Sequence, residues 1–275
     1  MSTPSWSVAT AAVLLLSLAV SCLASSSKKG VCFQKSTFNC GDFNVLNGMN
    51  WFYTWGKSGD MGCGRVEDNF VPMLWNDAFD QPPSLPYPVV LGFNEPNFGE
   101  QANMSPQRAA EAWIKIQAAY PDKELVAPAA APGGSNMSPT DWFDQFFAAC
   151  DKLGGCRVDY LATHSYSGCV ECDLAYLEGL YSRYHRKIWF TEFAVPNTND
   201  IGKVFDYMGS MLYHLEEADY VARYSWFMAK WSHTTERYMD PKTGWYLSSV
   251  NSLFVPGTSE LTALGRFYNE YTHRK

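Results

Sequence analysis

Two short apolar runs of this chain end in a glutamate: Val89-Val90-Leu91-Gly92-Phe93-Asn94-Glu95-Pro96 and Lys187-Ile188-Trp189-Phe190-Thr191-Glu192-Phe193. Two carboxyl groups brought to one place can act on a single glycosidic bond, one protonating the departing oxygen while the other attacks the anomeric carbon. Buried strands that each end in a carboxylate are how a parallel α/β barrel presents such groups, at the C-terminal rim of the strands. In the retaining form of the reaction the two carboxyls lie about 5 to 5.5 Å apart. Like charges that close disfavour double ionisation, so one carboxyl of the pair should titrate above its ordinary range. Glu95 is the expected acid and base, and Glu192 the expected ionised nucleophile.

The residues around the pair have plainer readings beside the functional ones. Asn94-Glu95-Pro96 could simply end a strand, since proline stops a ladder and polar residues crowd turns. Asn94 faces away from Glu95 if the strand stays regular to its tip, whereas a local irregularity would let its amide meet a substrate hydroxyl beside the reacting carbon. His164, closing the run Val158-Asp159-Tyr160-Leu161-Ala162-Thr163-His164, could donate to the nucleophile or to a sugar, or could be a satisfied structural histidine. Flat aromatic faces suit sugar rings, and the strand-tip aromatics Trp55, Trp75, Phe98, Tyr166, Trp226 and Trp231 are the candidates, of which no more than half are expected to touch substrate. Trp113, Trp142 and Trp189 read as core.

Elements that could position these groups alternate along the chain, apolar or β-branched runs with amphipathic stretches, which is the pattern of repeated strand and helix units. Eight strands can be counted: residues 30–34, 50–55, 70–75, 89–94, 124–127, 157–164, 187–191 and 221–227. With roughly 31 residues per unit of a barrel, the 97 residues from Glu95 to Glu192 correspond to three strands, placing Glu95 on the fourth and Glu192 on the seventh. Helical periodicity is clear for Ala109, Ala112, Trp113, Ile116 and Tyr120 after Ser105-Pro106, and for Val204, Tyr207, Met208, Met211, Leu212 and Leu215. Thr140 is the expected cap of a helix through Leu153. Leu174, Leu177, Tyr181 and Tyr184 mark another helix, and a closing one runs from about Ser259. Little room remains for a helix between Trp55 and Phe70. The fold class is therefore α/β, a single (β/α)8 barrel.

Residues 1–24 have an apolar centre and a small-residue end at Cys22-Leu23-Ala24, the composition of a secretory signal, leaving residues 25–275 as one barrel domain. No lysine or arginine precedes the apolar centre, which is the feature an uncleaved anchor would share. No later run is long enough to span a bilayer, and the C-terminus lacks the apolar tail of a glycolipid-anchor signal. A net charge of −7 without a basic cluster argues against nucleic acid and anionic membranes as partners. Without Cys22, seven cysteines remain, so disulfides with one thiol left over are expected in an oxidising compartment. Cys150 with Cys156 and Cys169 with Cys172 are the local pairs, and Cys63 has Cys32 or Cys40 as partner. Cys169-Val170-Glu171-Cys172 could also be a zinc or redox pair, but it lacks a second pair. Asn103-Met104-Ser105 and Asn136-Met137-Ser138 are glycosylation sequons.

Five motifs in order, Phe70-Val71-Pro72-Met73-Leu74-Trp75, Leu91-Gly92-Phe93-Asn94-Glu95-Pro96, Val158 to His164, Ile188-Trp189-Phe190-Thr191-Glu192-Phe193 and Arg223-Tyr224-Ser225-Trp226-Phe227, closing with Leu261-Thr262-Ala263-Leu264-Gly265, resemble glycoside hydrolase family 128, which includes the fungal alkali-sensitive-linkage wall proteins. The resemblance runs from about Gly30 to Tyr268. It implies a (β/α)8 barrel, a retaining mechanism and activity on β-1,3-glucan, with Glu95 matching the acid/base and Glu192 the nucleophile. Ser165 departs from the aromatic that the family often carries between the histidine and Tyr166. The expected protein is a secreted or wall-associated, monomeric endo-β-1,3-glucanase whose partner is its polysaccharide and which needs no metal or cofactor. The alternatives are a wall-associated glucan-binding protein with little turnover, and a hydrolase of another β-glycan.

Overall fold

The runs rich in valine, isoleucine and aromatic residues pair as parallel strands. In the computed structural model, which describes residues 26–63, 69–133, 137–232 and 237–273, seven strands form one parallel sheet in the order β2-β1-β7-β6-β5-β4-β3. They are β1 (Lys29–Cys32), β2 (Trp51–Tyr53), β3 (Val89–Leu91), β4 (Glu124–Ala129), β5 (Tyr160–Ser165), β6 (Ile188–Phe193) and β7 (Val221–Trp226). The signal-like segment 1–24 and Asn136 of the second sequon lie outside the described residues. The fold is α/β, as expected, but the continuous ladder holds seven strands rather than eight. Residues 70–75 make single parallel bridges on either side, Phe70 with Phe52 and Met73 with Leu91. Pro72 has no N–H to give, and its carbonyl instead accepts from Leu91 N at 2.9 Å.

A short α1 (Asp42–Val45) lies between β1 and β2, and from β3 onward strand and helix alternate: α2 (Pro106–Ala119), α3 (Pro139–Lys152), α4 (Val170–Tyr184) and α5 (Ile201–Glu217) follow β3 to β6, and α6 (Ala263–Glu270) closes the chain. Among the described residues no helix lies between Trp55 and Val89. Ser105 caps α2 by accepting from Arg108 N. Ser138, not Thr140, does the same for α3 through Asp141 N. The reason is shared: Ser-Pro places a capping oxygen before a proline whose missing N–H costs nothing in a first turn. The apolar face expected of α5 is buried in full.

Side chains of alternating phase separate the interior of the curled sheet from the helix layer. Trp51, Tyr53 and Trp189 lie inside, with the Arg223 guanidinium 4.5 Å from the Trp189 ring. Trp113 and Trp142 are buried among the helices, as expected. Disulfides join Cys40 with Cys63, Cys150 with Cys156 and Cys169 with Cys172, leaving Cys32 as a buried free thiol. That resolves the open partner of Cys63. Among the described residues no helix is long and apolar enough to cross a membrane.

One buried ion pair fastens the rim. Lys230 Nζ, in the loop after β7, lies 2.9 and 2.8 Å from the two carboxylate oxygens of Asp42, and both side chains are almost wholly buried. Lys230→Met strands the Asp42 charge, so urea denaturation should show a loss of about 3–5 kcal/mol. A change within 1 kcal/mol would show that the pair carries no such weight.

Candidate active site

The rim at the C-terminal ends of the strands gathers the predicted residues. Glu192 is the fifth residue of β6, and Glu95 follows β3 at a break in regular backbone with φ +41°, in the left-handed region. The turn is held by Glu95 N donating to Ala129 O and Phe98 N donating to Glu95 O. Asn94, the residue before this break, is itself buried. Its Nδ2 donates to Gln101 Oε1 at 3.3 Å, while its Oδ1 is buried without a partner. A buried acceptor left open is the kind of group a bound hydroxyl satisfies.

His164, buried at the end of β5, connects the two glutamates. Its Nδ1 is 2.7 Å from Glu95 Oε1 and 3.4 Å from Glu192 Oε2. One donor or acceptor atom from each of Glu95, His164 and Glu192 lies within 4.8 Å of the others. An oxygen of each glutamate thus lies within 4.8 Å of the other, and Glu192 stands three strands on from Glu95, as the interval predicted.

Glu192 is surrounded by donors. Trp55 Nε1 donates to its Oε1 at 2.7 Å, Tyr53 OH is shared between the same oxygen at 3.2 Å and Thr191 O at 3.0 Å, and Tyr166 OH donates to Oε2. Burial, then the charge of Glu192, push both phenols well above their ordinary range, so both remain protonated donors. Burial also raises the pKa of Glu192, and the Glu95 charge adds to this, while His164, Tyr166 and Trp55 pull the other way. The rise falls on the residue read as the ionised one, and burial is its main cause. For His164, burial lowers the pKa but the negative charge of Glu192 and the bond to Glu95 outweigh it, and the net direction is up.

By number and type of atoms, Glu95, His164 and Glu192 could also hold a divalent cation. Glu192 is a poor ligand in that role, because Tyr53, Trp55 and Tyr166 already occupy both of its oxygens. Three neutral donors on one carboxylate favour its ionised form.

The aromatic candidates divide. Trp55 and Tyr166 reach the site, but as donors to Glu192 as much as flat faces. Trp75 is half-buried, and its carbonyl accepts from Asn94 N. Phe98 is half-exposed on the turn after Glu95. Trp231 is buried. Trp226 does not face the mouth: it is fully buried against Phe193 and Tyr207, with Nε1 donating to Asn251 O. The strand's phase explains the correction. Tyr224 and Trp226 point to the helices, so Phe227 is the residue turned inward, packed on Trp55 and Tyr166 at ring distances of 6.0 and 5.5 Å. Ser165 likewise points outward, its Oγ donating to the buried carboxylate of Asp173 at 2.5 Å.

Tyr53 and Phe227 escaped the reading of the sequence. Tyr53 carried a usable signal, since Trp51, Tyr53 and Trp55 share one face of a strand at a period of two. Tyr166→Phe removes one donor that favours ionised Glu192. The acidic limb of kcat/KM should move to higher pH, with a loss of about tenfold on the plateau. An unmoved limb would mean that this bond does not act on Glu192.

The sequence profile of the family described as "Glycosyl hydrolase catalytic core" matches residues 30–268. Alkali-sensitive linkage protein 1 of Schizosaccharomyces pombe is 28% identical over 211 residues, which are 74% of this chain and 39% of that protein. The chain thus spans about two-fifths of that relative's length. A family-128 (subgroup II) endo-β-1,3-glucanase from Sorangium cellulosum superposes with a TM-score of 0.74 at 28% identity, over 90% of this chain and all of that one. A subgroup I endo-β-1,3-glucanase from Amycolatopsis mediterranei, solved with laminaritriose, gives a TM-score of 0.66 at 27% identity, over 89% of this chain and 99% of that one. Exo-acting enzymes of the same family are also among the structural neighbours.

Proposed function

This chain belongs to the glycosyl hydrolase catalytic-core family, and on that footing we propose that it cleaves β-1,3-glucan within the chain, by two displacements at Glu95 and Glu192. The observation that carries this reading is the approach of the two carboxyls and His164 to within 4.8 Å. In the first step Glu95 protonates the departing glycosidic oxygen and Glu192 attacks the anomeric carbon, giving a glycosyl ester. Trp55 and Tyr53 on Oε1 and Tyr166 on Oε2 hold the Glu192 carboxylate in place for that attack. In the second step Glu95 takes a proton from water, which releases the sugar with its original configuration. The unpartnered Oδ1 of Asn94 is the acceptor assigned to a sugar hydroxyl, a contact that strengthens in the transition state. Trp55, Tyr166, Trp75 and Phe227 supply aromatic walls, in place of Trp226.

The related enzymes support the substrate. The Sorangium and Amycolatopsis proteins are endo-β-1,3-glucanases, and glutamate variants of the latter were solved with laminari-oligosaccharides. The two glutamates replaced in those variants are separated by the same interval as Glu95 and Glu192. The bridges of residues 70–75 to β2 and β3 support a closed eight-stranded barrel, with Glu95 after its fourth strand. Three disulfides support an oxidising, extracellular location after removal of residues 1–24, with residues 25–275 as the working domain.

The test is reducing-end release and viscosity loss on linear β-1,3-glucan beside β-1,4-glucan, mannan and xylan. Selective release on the first with an early fall in viscosity is expected. Binding to β-1,3-glucan without product would replace the proposal with a glucan-binding role, and release from another polysaccharide would change the substrate.

A further inference from the structure

Trp245 lies beside the turn of an antiparallel hairpin, β8 (Arg237–Met239) and β9 (Tyr246–Ser248), in the long connection after β7. Three sets of contacts locate the hairpin over the mouth. At its base, Asn197 N donates to Tyr246 O at 2.8 Å, Tyr246 N to Asn197 Oδ1 at 3.0 Å, and Ser248 Oγ to Thr198 O at 2.6 Å, which fastens it to the loop after β6. In the middle, the Trp245 indole meets the Tyr166 ring edge-on, with centroids 5.7 Å apart, above the loop after β5. At the tip, Lys242 Nζ is 3.2 Å from Glu100 Oε1, in the loop that carries Glu95. The hairpin therefore runs from the loop after β7 across the ends of β6 and β5 to the loop after β3, and roofs that side of the catalytic pair.

Trp245 itself is one ring removed from the nucleophile, since Tyr166 donates to Glu192. It keeps part of its indole exposed, whereas Trp51, Trp113, Trp142, Trp189 and Trp226 are almost wholly buried. The backbone around it is set by Asp240 N donating to Trp245 O and Trp245 N donating to Thr243 Oγ1. A half-exposed indole beside the ring that touches Glu192 presents the apolar face that the C–H side of a pyranose ring packs against.

We propose that Trp245 binds a glucosyl unit beyond the one held at Glu192, and that the hairpin, latched by Lys242 and Glu100, places it there. The inference rests on the glucanase reading above. Because the latch is exposed at both ends, breaking it is expected to change affinity by no more than about fivefold.

The test is kcat/KM for laminaritriose, laminaripentaose and laminarihexaose. The wild type should gain with length. In Trp245→Ala the loss should grow with length, reaching about tenfold on the hexaose and residing in KM, with Trp245→Phe recovering part of it. Lys242→Glu should give a smaller loss of the same kind, and Glu100→Lys in the same chain should restore it. A Trp245→Ala loss equal at every length and carried by kcat would overturn the proposal, because Trp245 would then only prop Tyr166. No loss at any length would overturn it too. If the wild type cleaves none of these sugars, the glucanase reading has failed, and Trp245 is then judged by calorimetric affinity for laminarihexaose. Weaker binding by Trp245→Ala than by wild type supports the subsite, and equal binding ends it.

Discussion

Glu192→Gln is expected to lower reducing-end release from linear β-1,3-glucan by roughly 10⁴-fold or more, because an amide does not form the glycosyl ester. Glutamine keeps the shape of the side chain among Tyr53, Trp55 and Tyr166, so the melting temperature should stay near that of the wild type and the loss should appear in kcat. Glu192→Ala tests the geometry more sharply. It leaves a cavity of carboxylate size on one face of the sugar, which azide can enter. Azide should restore part of the cleavage of an activated β-glycoside and give the α-glycosyl azide, since it attacks from the side that Glu192 leaves vacant. Normal hydrolysis by Glu192→Gln, or a wild-type first product of inverted configuration, would remove Glu192 from the role. The acidic limb of the wild-type profile has a defined sense. Burial raises the pKa of Glu192, so activity should fall as pH drops through a value above the ordinary carboxylate range.

Glu95→Ala should cut turnover of the same polysaccharide by about 10² to 10⁴-fold, the contribution of a positioned proton donor and acceptor. The loss should depend on the leaving group. A dinitrophenyl β-glycoside departs without a proton, so its first step should survive while breakdown of the ester becomes slow. Added azide should then speed that second step and yield the β-glycosyl azide, the opposite anomer to the Glu192→Ala product. Equal loss on both classes of substrate would mean that Glu95 acts by holding His164, 2.7 Å away, and not by transferring a proton.

Local pattern carried much of this protein. The apolar runs before Glu95 and Glu192, the interval between them, the Ser-Pro start of α2 and the apolar face of α5 each follow from a few adjacent residues, and all recur in the fold. Cys150 with Cys156 and Cys169 with Cys172 were legible for the same reason: a short loop makes the near partner the easy one. Tertiary structure decided the rest. Trp226 and Phe227 are neighbours of similar character, and a pleat that alternates with every residue sends one to the helices and the other to the site, so composition alone cannot choose. Cys40 found Cys63 across residues whose path no periodicity specifies. Trp245 reached Tyr166 because a hairpin in the loop after β7 folds over the ends of two other strands. The amino-acid sequence by itself determined which segments become strands and helices and which carboxyls stand at their tips, because those outcomes depend on neighbours within a turn or two. Only the assembled sheet decided which side chains surround Glu192, because curling the sheet brings together residues from β2, β5, β6 and the connection after β7, and no spacing along the chain encodes that approach.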